Sequence, residues 1–148
     1  MSERLPNLCA KSRLNIIIKM NQLVKNEKKV KKEASGCWIW LGGTGGATET
    51  VNSKKYPYVW IWEHRQKQEC AGMGGGGFSC RINILQLYLK SAQVPVLNVS
   101  CASHLCHTPK CINPDHIILE TIADNADRKK CHKARGRKCI GNHQPKCY

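Results

Sequence analysis

The chain has 148 residues, the size of one ordinary domain, yet only 41% of it is hydrophobic and it holds a single Phe, so burial alone would give it a thin core. Twenty-four Lys and Arg against ten Asp and Glu leave a formal net charge of +14, a surplus that attracts polyanions and makes nucleic acid the first candidate partner. The apolar run at residues 14–20 is too short to span a bilayer, so no membrane partner is expected.

Residues 13–32 put Leu14, Ile17, Ile18, Leu23 and Val24 at helical intervals and end in a run of lysines, which predicts an amphipathic helix with a basic end. We take residues 1–35 as a basic helical segment ahead of a second unit at 36–148. Cys37-Trp38-Ile39-Trp40-Leu41 reads as a short strand closed by the glycine cluster 42–46, which lacks the Gly-Lys-Ser/Thr ending of a phosphate-binding loop. Residues 56–63 predict a second strand with Tyr56, Tyr58, Trp60 and Trp62 on one face. After a second glycine run at 72–77, residues 78–90 can pair with that strand at their start and are equally able to be helical at their end. A ribbon of two such strands is one of the few ways in which strands read base edges in a major groove.

The ten cysteines, at 9, 37, 70, 80, 101, 106, 111, 131, 139 and 147, admit disulfides or metal ligands. Residues 1–11 do not read as a basic-then-apolar leader with a cleavage site, so a reducing compartment, the nucleus first, is the expectation and metal binding the preferred reading. A secreted, disulfide-rich basic protein is the disfavoured one.

Cys106 and Cys111 are separated by four residues and His116 follows after four more, around an Asn113-Pro114 turn. Zinc takes four such ligands in a tetrahedron, and this stretch supplies three; Cys37 is the preferred fourth and Cys101 its local rival. Cys131, Cys139, His143 and Cys147 form a second complete set, in a segment too basic to fold by burial. Two structural Zn²⁺ are therefore expected. Residues 122–130 predict a helix opened by Thr121 and Asp124, with Ile122, Asn125, Ala126 and Lys129 on one face and Asn125 turned inward.

A strand with His104, a cysteine-pinned loop and a helix with Asn125 resembles the His-Cys box of intron-encoded homing endonucleases, in the ββα-metal nuclease superfamily. The resemblance is specific over 101–131, runs on through the second cysteine set and extends loosely upstream to Cys37-Trp38-Ile39-Trp40. It implies an α+β fold: a small zinc-stabilised ββα-metal domain with an antiparallel ribbon and few helices. It also implies a Mg²⁺-dependent, site-specific endonuclease of the intron-homing type. In that reading His104 is the general base that activates water, Asn125 holds one Mg²⁺ or another divalent cation, and an arginine from the preceding sheet, Arg81 in preference to Arg65, contacts the scissile phosphate. The implied partners are double-stranded DNA, ribosomal DNA among the targets, and a second copy in a homodimer. The alternative from another class is a non-catalytic, zinc-stabilised DNA-binding regulator, which explains the charge and the cysteines without using His104 or Asn125.

Overall fold

A computed structural model describes residues 5, 6, 8, 10–44, 56–62, 77–135 and 144–147, the side chains of 62 and 132–135 excepted. Among these residues the fold is mixed α+β: three helices and three two-stranded antiparallel sheets. In chain order they are α1 (Ala10–Lys25), β1 (Val30–Lys32), β2 (Trp38–Trp40), β3 (Tyr58–Trp62), β4 (Gly77–Arg81), α2 (Ile82–Ser91), β5 (Ser100–His104), a 3₁₀ turn (Pro114–His116), β6 (Ile117–Thr121) and α3 (Ile122–Arg135). The sheets pair β1 with β2, β3 with β4 and β5 with β6. None of the helices is long and apolar enough to cross a membrane.

Two expectations for the first helix are corrected. The helix stops at Lys25, because the chain turns through Asn26, whose carbonyl accepts from the amides of Lys29 and Val30, and Val30 opens a strand. Its buried stripe is Ser12, Ile16 and Met20, spaced four apart, whereas Leu14, Ile17 and Ile18 lie exposed; the helix is rotated from the face that the largest side chains suggested. Ile16 and Met20 enter the same core as Val30, Trp40, Val59, Ile61 and Leu85.

In β3 the aliphatic residues Val59 and Ile61 face that core and Trp60 faces out, so the aromatic face is the outer one. The ambiguous stretch 78–90 resolves into both forms: β4 pairs with β3, and the chain passes directly at Ile82 into α2. This helix buries Ile82, Asn83, Leu85, Gln86, Leu87 and Tyr88, which is most of its circumference, and so stands at the centre of the molecule. Its two buried amides tie it to the region that carries the chemistry. Asn83 Nδ2 donates to the Ala102 carbonyl (3.2 Å) and Gln86 Nε2 to the Ile112 carbonyl (3.0 Å).

Helix α3 begins with the expected cap: the Thr121 hydroxyl accepts from the Asp124 amide at 3.1 Å and donates to its carboxylate at 2.7 Å. The face predicted to turn inward does not. Ile122, Ala126 and Lys129 are exposed, Asn125 is half-buried at the edge, and Arg128 and Cys131 face the protein. The reason is an ion pair that helical periodicity does not reveal. Arg128 forks onto Glu120 of β6 (Nη2–Oε2 2.9 Å, Nε–Oε2 3.1 Å) and donates through Nη1 to the Pro145 carbonyl (2.9 Å), and both charged side chains are almost wholly buried. Arg128→Ala is expected to cost about 3–5 kcal/mol in denaturant unfolding, because Glu120 is left as an unpaired buried charge, whereas the double change Arg128→Met with Glu120→Leu costs less.

A cysteine–histidine centre and an adjoining pocket

Cys37, Cys106, Cys111 and His116 come together, their ligand atoms all within 4.8 Å of one another. His116 Nδ1 lies 3.6 Å from the sulfurs of both Cys37 and Cys111. A tetrahedron with Zn–S near 2.3 Å and Zn–N near 2.0–2.1 Å puts sulfur and nitrogen about 3.6 Å apart, so this donor set fits zinc in chemistry and in spacing. Four protein ligands close such a site and leave no position for substrate.

Cys37 reaches the cluster because β2 pairs with the loop that holds the other ligands. The Ile112 amide donates to the Trp38 carbonyl (2.8 Å), the Trp40 amide to Lys110 (2.9 Å), and Ile39 bridges Cys111. Asn113 adds a side-chain tie, Nδ2 to the Gly36 carbonyl at 2.7 Å, while its Oδ1 caps the turn through the Asp115 amide. Gly36 has φ +79°, and a Cβ there would stand 3.3 Å from His116 Nε2, so both backbone and space ask for glycine. Cys101, the rival fourth ligand, lies elsewhere and accepts a hydrogen bond from Asn125 Nδ2 (3.1 Å).

Without metal the cluster favours ionisation at one of its thiols, Cys111. Cys111 is lowered to about 5, first by the Cys106 thiol that donates to it, with the Asn113 and Trp38 amides and His116 adding to the effect. Cys106 is raised by that same shared proton and by burial, and Cys37 by burial. None of the cysteines described is bridged to another. Of the second expected set, Cys131 is buried in α3 and Cys147 lies 3.4 Å from Arg128 Nη1, while Cys139 and His143 fall outside the described residues.

His104 ends β5, 8% exposed, and its Nε2 lies 2.9 Å from the Cys111 carbonyl. A carbonyl only accepts, so Nε2 carries the proton and Nδ1 keeps the lone pair. Burial pushes the imidazole below its ordinary range, although the Cys111 carbonyl opposes this, and so favours the neutral ring. The Tyr56 ring stacks against it, centroids 6.1 Å apart. Asn125, in the first turn of α3, accepts at Oδ1 from the Ser103 hydroxyl (3.2 Å). His104 and Asn125 line one cavity of about 170 Å³, together with Tyr56, Ala102, Ser103, His107, Pro109 and Lys129.

Arg81 does not line that cavity. Its Nε donates to Tyr58 Oη (2.9 Å) and its guanidinium lies over the Tyr56 ring at 5.1 Å, so it approaches the site only through Tyr56; Arg65 falls outside the described residues. Sequence reasoning missed Tyr56, which lies 48 positions before His104 and carries no local signal. Lys129 had one: it follows Asn125 by four residues on a helix.

Zinc uptake by the metal-free protein at pH 7 is expected to displace two thiol protons, from Cys37 and Cys106, since Cys111 is already ionised. As pH falls through the Cys111 range near 5 that thiolate takes up its proton, a further proton must leave on binding, and affinity falls more steeply. Calorimetry in buffers of different ionisation enthalpy counts these protons. Cys37→Ser should lower bound zinc by one ion per chain, and unchanged zinc content would contradict the four-ligand centre.

Residues 77–148 match the family model described as the zinc-binding loop region of homing endonuclease. A stretch of 99 residues, 67% of the chain, is 26% identical to Protein 2.8 of Escherichia phage T7 and spans 52% of that protein, about half its length. No solved structure matches. Three of the four clustered ligands, Cys106, Cys111 and His116, fall inside the matched region, so residues 77–148 are similar to the zinc-binding loop region of the homing endonucleases in the part of the chain that builds the cluster.

Proposed function

We propose that the chain is a metal-dependent endonuclease of double-stranded DNA, with His104 as general base and Asn125 as the protein ligand of a hard divalent cation. One observation carries the reading: a neutral-leaning imidazole and a carboxamide, from a strand and a helix on either side of the cysteine loop, wall the same small cavity. The family match and the net charge of +14 support DNA as the substrate.

His104 Nδ1 accepts the proton of a water that attacks phosphorus as the bond to the 3′ oxygen breaks, while the Cys111 carbonyl holds the ring in the tautomer this requires. The Asn125 amide oxygen accepts one bond from Ser103 and keeps a second lone pair for a cation. Among the described residues no carboxylate lines the cavity, which suits an ion that keeps most of its waters and is held jointly with substrate phosphate. Mg²⁺ bound there would neutralise charge that builds on the phosphate and the leaving oxygen. Ser103 and Cys101 orient the amide from both ends. Cutting both strands at one site calls for two active centres, and so for two copies of the chain on the duplex. Homing into ribosomal DNA belongs to the same proposal.

The test is cleavage of a pooled plasmid and genomic DNA library in Mg²⁺, with the new ends read by sequencing. His104→Ala and Asn125→Ala should cut about 100- to 10,000-fold more slowly while DNA binding persists. Asn125→Asp, which retains an oxygen ligand, should keep more activity than Asn125→Ala. Binding without cleavage by the parent chain, or variants that cut as fast as the parent, would instead favour a DNA-binding regulator.

A further inference from the structure

Three consecutive cations, Arg128, Lys129 and Lys130, lie on α3 and differ in what they face. Arg128 is buried against Glu120, and Lys130 pairs with Asp127 at 2.9 Å. Lys129 has no carboxylate within ion-pair distance among the described residues, and it lines the cavity shared by His104 and Asn125. Four residues after Asn125, it projects from the same side of the helix one turn on. Nearby, the Cys101 thiol of β5, raised by burial and by the Glu120 carboxylate, is drawn back in part by the Asn125 amide and the Lys129 ammonium. Among the described residues the cavity has no acidic side chain on its wall and one ammonium without a carboxylate partner, a lining that suits a small anion.

From this geometry we infer that Lys129, and not Arg81, is the side chain that meets the phosphate in this cavity. The assignment rests on the endonuclease reading for what the phosphate belongs to, a DNA phosphodiester. Arg81 is engaged by Tyr58 and stacked on Tyr56, and it stands outside the lining. A compact ammonium suits the position, because it holds a phosphate oxygen as a point charge and does not demand the paired geometry of a guanidinium.

Dimethyl phosphate, a phosphodiester monoanion without sequence, tests this without turnover. Titrated into the ¹⁵N-labelled full chain with zinc present, it should produce saturable shifts at amides of residues 103–107 and 125–129. Lys129→Gln should weaken binding about fivefold, Lys129→Arg should hold it within about twofold because charge is kept, and Arg81→Gln should leave it unchanged. The inference is overturned if the parent shows no shifts in these segments, if Lys129→Gln binds as the parent does, or if Arg81→Gln carries the loss. The two readings fail separately. A chain that binds dimethyl phosphate through Lys129 but never cuts DNA sinks the endonuclease proposal alone, and one that cuts DNA equally well as Lys129→Gln sinks this one alone.

Discussion

Cys111 offers its sulfur to the four-ligand cluster and its carbonyl to the His104 imidazole 2.9 Å away, and this double duty joins the metal-binding loop to the site beside it. The peptide must point one way for the sulfur to meet Cys37, Cys106 and His116, and in that orientation its oxygen faces His104 Nε2. The ring's tautomer and direction then follow from loop geometry without any carboxylate partner. A metal at the cluster would thus act on the neighbouring imidazole through backbone alone, by fixing the loop, and loss of metal would release the ring as well as the fold.

The loop is braced from three further directions. β2 pairs along residues 110–112, Asn113 reaches across to Gly36, and Gln86 of the central helix holds the Ile112 carbonyl from the core side. Each brace is a buried polar group satisfied by backbone, which resists shear better than apolar contact does, because an unmet donor or acceptor there costs about 1–3 kcal/mol. This organisation compensates for a modest core: the chain gains order from hydrogen bonds and ligands where a larger domain would bury more hydrocarbon.

Much of the site was legible in the sequence because its chemistry is local. Cys106, Cys111 and His116 lie within eleven residues, and three cysteine or histidine ligands so close together around an Asn-Pro turn advertise a metal loop. Cys37 was separated from Cys101 only by partnership: one joins the cluster through the pairing of Ile39 with the distant Cys111, the other accepts from an amide. The helix faces were harder to read. In α1 the larger apolar residues turn to solvent while Ser12, Ile16 and Met20 go in, and in α3 a buried Arg–Glu pair decides the orientation against hydrophobic periodicity. Tyr56 and the sequestering of Arg81 depend on long-range packing that no spacing encodes.

The register between β5 and β6 matches Ser103 with Ile118 and His104 with Ile117. Strand side chains alternate sides, so a single residue inserted or deleted next to either strand would turn the histidine to the other side of the hairpin while leaving its identity untouched. The hairpin thus fixes the side on which the imidazole emerges by counting residues along its two strands, as firmly as the cysteine loop fixes the direction of the ring.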